Sequence, residues 1–243
     1  MDINLLETLK EEMEMKLKGG LYHLTQIKFA YHSNRIEGSQ LSEEQTRYIF
    51  ETNTIGVQKD EAVNIDDIIE TVNHFTCFDY MLSHAEEILS EDMTKQFHRI
   101  LKSGTSDSKK DWFRVGDYKS RPNVVGGKTT TAPGKVADEM KKLILQYNQK
   151  QSVSFEDIVK FHYEFETIHP FQDGNGRVGR IIMFTECLAN GILPFIVNND
   201  HKMFYYRGFD RFLDEKGYLM DTCRAAQDEY EKLVTYFFPP VQA

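Results

Sequence analysis

Within one short stretch of the chain lie a histidine, a carboxylate, a glycine-rich turn and two arginines: His169-Pro170-Phe171-Gln172-Asp173-Gly174-Asn175-Gly176-Arg177-Val178-Gly179-Arg180. Each residue type has a chemical use at its position. A histidine titrates near neutral pH and can take a proton, and Pro170 ends the preceding helix, leaving His169 at its tip. Asp173 is a hard carboxylate suited to Mg²⁺ beside phosphate oxygens. Gly174-Asn175-Gly176 permits positive φ, so that successive backbone N–H groups can converge on an anion. The next helix starts there and adds unpaired N–H groups and the positive end of its dipole. Arg177 and Arg180, three apart, can face the same anion. A buried histidine and solvated arginines on a plain helix–loop–helix turn would account for any one of these residues. Their conjunction points to phosphoryl or nucleotidyl transfer.

The elements that must position this stretch are helical. Apolar residues recur at helical spacing along Ile65, Ile68, Ile69, Val72 and Phe75, and along Met93, Phe97, Ile100 and Leu101, stopped at Gly104. Val136, Met140, Leu143, Ile144 and Tyr147 form a third stripe. Ser154, with Asp157 three residues on, caps a helix bearing Phe155, Ile158, Val159, His162 and Phe165. Beyond the glycine-rich loop run Val178, Ile181, Ile182, Thr185 and Leu188, ended by Gly191. A last stripe, Met220, Cys223, Ala226, Tyr230, Leu233, Val234 and Phe237, is closed by Pro239 and Pro240. Residues 103–134 break the pattern, and 123–131 read as a short hairpin turning at Gly126-Gly127. A lone hairpin among helices buries little and is expected to stand out as an exposed flap. The fold expected is all-α with this one hairpin. Residues 1–60 are expected to pack on a main domain of residues 61–238.

The chain has 243 residues, 40% hydrophobic and 28% charged, with a formal net charge of −9. That is a globular composition, and the charge disfavours wholesale binding to a nucleic acid backbone. Cys77, Cys187 and Cys223 are odd in number and scattered, which fits small buried residues in a reducing cytoplasm rather than a disulfide framework or zinc knuckle. Residues 1–17, rich in Glu and Lys, do not read as a signal peptide, and no apolar run of about 18 residues suggests a membrane span.

The stretch 169–180 matches, at every specified position, the His-Pro-Phe-x-(Asp/Glu)-Gly-Asn-Gly-Arg-x-x-Arg pattern of the Fic-domain family, and the chain resembles that family over roughly residues 60–235. The resemblance implies a helical Fic-type bundle that moves AMP from ATP to a Ser, Thr or Tyr hydroxyl of a protein, including the enzyme itself. It makes His169 the general base, Asp173 the Mg²⁺ ligand, Gly174, Asn175 and Gly176 the phosphate cradle, Arg177 the partner of the β/γ region and Arg180 that of the γ-phosphate. It also implies that residues 117–131, with Val124 and Val125, dock the target chain as an added strand, and that residues 201–209, Tyr206 above all, line the adenine pocket. Ser33-Asn34-Arg35-Ile36-Glu37-Gly38 closes a helix expected to begin near Leu21, with Ser33 and Glu37 on one face. Beside the motif it resembles the family's inhibitory pattern, in which Glu37 would take the Arg180 guanidinium. Rival readings are transfer of UMP, phosphocholine or phosphate, or AMP removal. Further afield stand a metal hydrolase built on His162, Glu166, His169 and Asp173, and a silent binding module. Self-association is left open by the sequence.

Overall fold

The computed structural model describes residues 4–239. Residues 1–3 of the expected 1–60 segment, and Pro240 of the expected helix stop, lie outside it. Ten α-helices run in the order α1 (Leu5–Glu14), α2 (Leu21–Ile36), α3 (Glu43–Thr52), α4 (Ile65–His84), α5 (Glu91–Lys102), α6 (Pro133–Asn148), α7 (Phe155–Ile168), α8 (Asn175–Ala189), α9 (Lys202–Arg211) and α10 (Gly217–Phe237). Five of them, α1, α3, α4, α5 and α7, start at side-chain caps that satisfy otherwise orphaned N–H groups. Ser42 with Gln45 and Ser154 with Asp157 close capping boxes on α3 and α7, and Ser90 accepts from the Met93 N–H at the start of α5.

α8 is buried on nearly every side, from Val178 through Leu188, and α2, α4, α5 and α7 pack around it. A helix apolar all round belongs in the centre of a bundle. The tightest approach is to α7: a Cβ at Gly179 would collide with the His162 ring, so glycine is what lets the two helices meet. Phe29 of α2 stacks on Phe184 of α8 with ring centroids 5.2 Å apart, and Leu6, Leu21, Phe29 and Ile36 share one core with Phe78, Phe97, Phe165 and Tyr230. Each such aromatic contributes about 1.5–3 kcal/mol by leaving water. The stripes expected on α5, α6, α7 and α8 face this core. On α4 the expected stripe is only partly right. Phe75 is buried as expected, but Ile65 and Val72 are exposed, and Thr71, His74, Phe78 and Met81 are buried beside Phe75.

The hairpin pairs β1 (Val124–Val125) with β2 (Lys128–Thr129) in antiparallel register, Val124 opposite Thr129 and Val125 opposite Lys128. Gly126 and Gly127 both have positive φ, 56° and 77°, as a tight two-residue hairpin turn demands.

Candidate functional site

α7 ends where Phe165 accepts the His169 N–H, and His169 itself adopts the left-handed conformation, φ 52° and ψ 63°. That geometry is uncommon for a residue with a Cβ and persists only where the surroundings hold it. The holders are identifiable. Asn175 turns its side chain back on the loop, accepting the Phe171 N–H at 2.8 Å and donating to the Phe171 carbonyl at 2.9 Å. Of the three residues expected to cradle phosphate, Asn175 is therefore left with only its backbone N–H to offer. Phe171 is buried flat against His98, centroids 4.0 Å apart. His98 accepts the Gly116 N–H at Nδ1, and burial, then Lys102, push its pKa down to about 3. It is a neutral platform under the loop.

Gly174 precedes α8 in the left-handed region with φ 79° and brings no side-chain cap. The first N–H groups of α8 thus face an anion position. A carboxylate already sits there. Glu37 forms the C-cap of α2, and a Cβ built on Gly176 would overlap its Oε1. The same oxygen accepts from Arg180 Nη2 at 2.7 Å. Ser33 completes the grip: its hydroxyl accepts from Arg180 Nε and its carbonyl from Nη2, both at 3.0 Å. Burial opposes the Arg180 charge, but Glu37 outweighs it and holds the pKa above the ordinary arginine value.

Arg177 is held elsewhere. It pairs with Glu70 of α4 and with Asp173 at 3.3 Å. Lys102, at the end of α5, joins both carboxylates, 2.5 Å from Glu70 and 2.6 Å from Asp173. Asp107 approaches Lys102 at 3.6 Å as well, so two buried cations share three carboxylates. Asp173 is buried enough to disfavour charge, yet Arg177 and Lys102 hold its carboxyl well below the usual range. It stays ionised with its side chain 46% exposed, which fits a ligand for a cation shared with phosphate oxygens rather than a closed protein cage.

The flap is strapped to the same loop. The buried Lys119 donates through Nζ to Asn123 Oδ1 at 2.8 Å, Thr130 Oγ1 at 2.6 Å and the Ile168 carbonyl at 3.4 Å, while its N–H meets the Pro170 carbonyl at 2.9 Å. Asn123 also donates to the Phe171 carbonyl. Val124 and Val125 stand out at 63% and 47% exposure. Tyr206 on α9 is 40% exposed and donates its hydroxyl to the Ile36 carbonyl, next to Glu37.

The expected residues on 169–180, Ser33, Glu37 and the flap base meet at one place, where α7 ends and α8 begins. The hydrolase arrangement does not form. His162 bonds Tyr205 and Asp173 bonds Lys102, and no group of three or more His, Cys, Asp or Glu is poised for a metal among the described residues. Sequence reasoning missed Lys102, Glu70, His98 and Lys119. Each is one polar residue on an otherwise ordinary helix or loop, and only tertiary packing brings it to the motif.

Residues 88–187 match the family profile described as Fic/DOC family. Over 188 residues the chain is 29% identical to "Protein adenylyltransferase Fic" of Aedes aegypti, covering 74% of this chain and 36% of that protein. It is 27% identical over 190 residues to "Protein adenylyltransferase fic-1" of Caenorhabditis elegans, covering 75% and 35%. The chain thus spans about a third of the length of these curated relatives. Among solved structures it superposes on a Fic domain containing signaling protein from Bacteroides thetaiotaomicron with a TM-score of 0.70 at 22% identity, over 96% of this chain and 91% of that one. It superposes on C. elegans Fic-1 with a TM-score of 0.73 at 19% identity, over 96% and 71%. No helix among the described residues is long and apolar enough to cross a membrane.

Proposed function

The chain carries a Fic/DOC-family domain over residues 88–187, and on that premise we propose that it is a protein adenylyltransferase, moving AMP from ATP to a hydroxyl of a target protein and restrained by its own Glu37. His169 takes the proton of a Ser, Thr or Tyr hydroxyl as the oxygen attacks the α-phosphorus. The bond to pyrophosphate breaks, and pyrophosphate departs. The first N–H groups of α8, Arg177 and Arg180 hold the phosphates, so that positioning and charge neutralisation supply most of the acceleration. Asp173, ionised and partly open, would hold Mg²⁺, which supplies further neutralisation on the α- and β-phosphates. The flap, with its base fixed to the backbone at residues 168, 170 and 171, offers a strand edge to the target chain within reach of His169.

The observation that carries this reading is the Glu37 carboxylate lying against Gly176 and paired with Arg180. It shows an anion position at the α8 N-terminus that already accepts a carboxylate. A γ-phosphate needs the same donors, so ATP adopts its productive pose only when Glu37 withdraws. The test is incubation with α-labelled ATP, Mg²⁺ and a cell lysate, comparing wild type with Glu37→Gly, with the mass of the modified product read in parallel. Labelled protein carrying AMP in the variant supports the proposal. A product carrying UMP, phosphocholine or phosphate reassigns the transferred group, and loss of AMP from a pre-modified target reassigns the direction. No label from either form leaves a binding module.

A further inference from the structure

Glu166 stands on α7 one turn before His169. Its Oε2 lies 3.7 Å from His169 Nδ1, with both side chains about five-sixths buried, at 16% and 15% exposure. His169 Nδ1 is buried without a hydrogen-bond partner among the described residues, and so is Glu166 Oε1. A buried polar atom left unpaired is unfavourable, and a small rotation that brings the nearby Glu166 carboxylate within hydrogen-bond distance of Nδ1 satisfies the imidazole. Contacts of this kind are commonly long in an unliganded site and shorten when substrate is bound. The imidazole has little freedom to look elsewhere, because the left-handed backbone at His169 and the Asn175 clamp on Phe171 fix the loop that carries it.

We propose that Glu166 is the positioning residue for His169: it draws the neutral ring's proton to Nδ1 and so leaves Nε2 as the free base that meets the target hydroxyl. This rests on the AMP-transfer reading above. A neutral imidazole exists as two tautomers, and only the one unprotonated at the substrate-facing nitrogen can accept a proton there. A carboxylate opposite Nδ1 selects that tautomer. Once Nε2 has taken the hydroxyl proton, the same carboxylate faces an imidazolium and stabilises it. Glu166 also lies in the field of Arg180, so the competing role is that of a mere counter-charge for the arginine. The two roles differ in what they move: tautomer and kcat for positioning, ATP affinity for the counter-charge.

The experiment uses the full chain carrying Glu37→Gly, labelled with ¹⁵N at histidine. Ring nitrogen shifts, assigned to His169 by comparison with His169→Ala, report which nitrogen holds the proton. The expected result is the Nδ1–H tautomer in the parent and its loss in Glu166→Ala. In that variant kcat for AMP transfer falls about 10²-fold and the Kd for ATP stays within about threefold. Glu166→Gln, whose amide oxygen still accepts from Nδ1–H, retains the tautomer and recovers most of the rate. An Nε2–H tautomer in the parent overturns the proposal, as does a tautomer untouched in Glu166→Ala, or a weakened ATP Kd with kcat unchanged. Should the parent transfer no AMP at all, the enzymatic reading fails, whereas the ring nitrogen shifts still decide the role of Glu166.

Discussion

Arg177 and Arg180 stand three residues apart on α8 and are both almost wholly buried, yet they are held from different directions. Arg177 is tied down by Glu70 of the neighbouring α4 and by Asp173 of its own loop, both of which Lys102 also holds. Arg180 is tied down from the C-terminal end of α2, through Ser33 and the cap residue Glu37. Glu37 caps the C-terminus of that helix, its side chain 27% exposed, and is followed by Gly38 at φ 108°. An anion arriving at Arg180 can take the place of Glu37 and leave no buried charge bare. One arriving near Arg177 finds its partners already fixed. Two arginines of identical type and burial therefore differ in whether their counter-charge can be exchanged.

The largest expected effect tests whether either arginine serves the base. His169→Ala should cut AMP transfer by roughly 10²–10⁴-fold with ATP binding intact, as measured by label incorporation and calorimetry. A matching loss of ATP affinity would break the division of labour between loop tip and helix N-terminus. Next comes the exchangeable partner. Glu37→Gly should raise incorporation about 5- to 150-fold, the range that 1–3 kcal/mol of coupling gives. Adding Arg180→Ala should abolish the gain, since the γ-phosphate then has no fork to meet. Equal incorporation by wild type and Glu37→Gly would remove the inhibitory reading.

The fixed partner should behave in the opposite sense. Glu70→Ala leaves Arg177 and Lys102 sharing Asp173 as their close carboxylate and should cost about 3–5 kcal/mol of stability with no gain in transfer. Glu37→Gly bares the buried Arg180 charge in the ligand-free chain and should cost a similar amount, but saturating ATP should restore that loss and leave the Glu70→Ala loss unchanged; denaturant titration of the two variants with and without ATP decides between them. On the flap, Val125→Pro removes a backbone donor from an exposed strand edge. It should reduce modification of the target severalfold and leave the Kd for ATP unchanged.

A last effect, on stability and not on transfer, is a pH dependence at Lys119. Burial pushes its pKa down from 10.5 to about 8. Between about pH 8 and 10.5 the unfolded chain therefore binds more protons than the folded one, so stability should rise with pH across that window. The rise should be absent in Lys119→Met, as thermal melts at a series of pH values would report.

The parts of this molecule that were legible in the sequence are those whose information is local. Periodicity placed α5 to α8, Gly126-Gly127 announced the hairpin, and the run from His169 to Arg180 carried its chemistry in its own spacing. The i, i+4 relation of Ser33 to Glu37 was equally plain, and the two side chains do meet Arg180. What stayed hidden depends on packing between distant segments. Glu70 and Lys102 look like solvated charges on amphipathic helices, and only the crossing of α4 and α5 over α8 buries them. Ile65 and Val72 belong to an apolar stripe of which α4 buries Phe75, while the polar Thr71 and His74 go inward beside it, a choice made by the neighbouring helices and not by hydropathy. Asn175 was read as a phosphate ligand by its place between two glycines. The distance back to the Phe171 backbone, which turns its side chain inward, has no trace in the spacing.

The carboxylate at position 37 and the guanidinium it meets at position 180 are 143 residues apart, and the carboxylate comes first. A ribosome releases α2 long before it releases α8, and chains generally fold as their earlier parts emerge. By the time the nascent chain has made its second arginine and the helix N-terminus beside it, the occupant of that position is already present and tethered to it. A later-encoded occupant would leave an interval on the ribosome in which the finished anion position stood open to cellular nucleotide. The order of segments along the gene closes that interval without any additional factor.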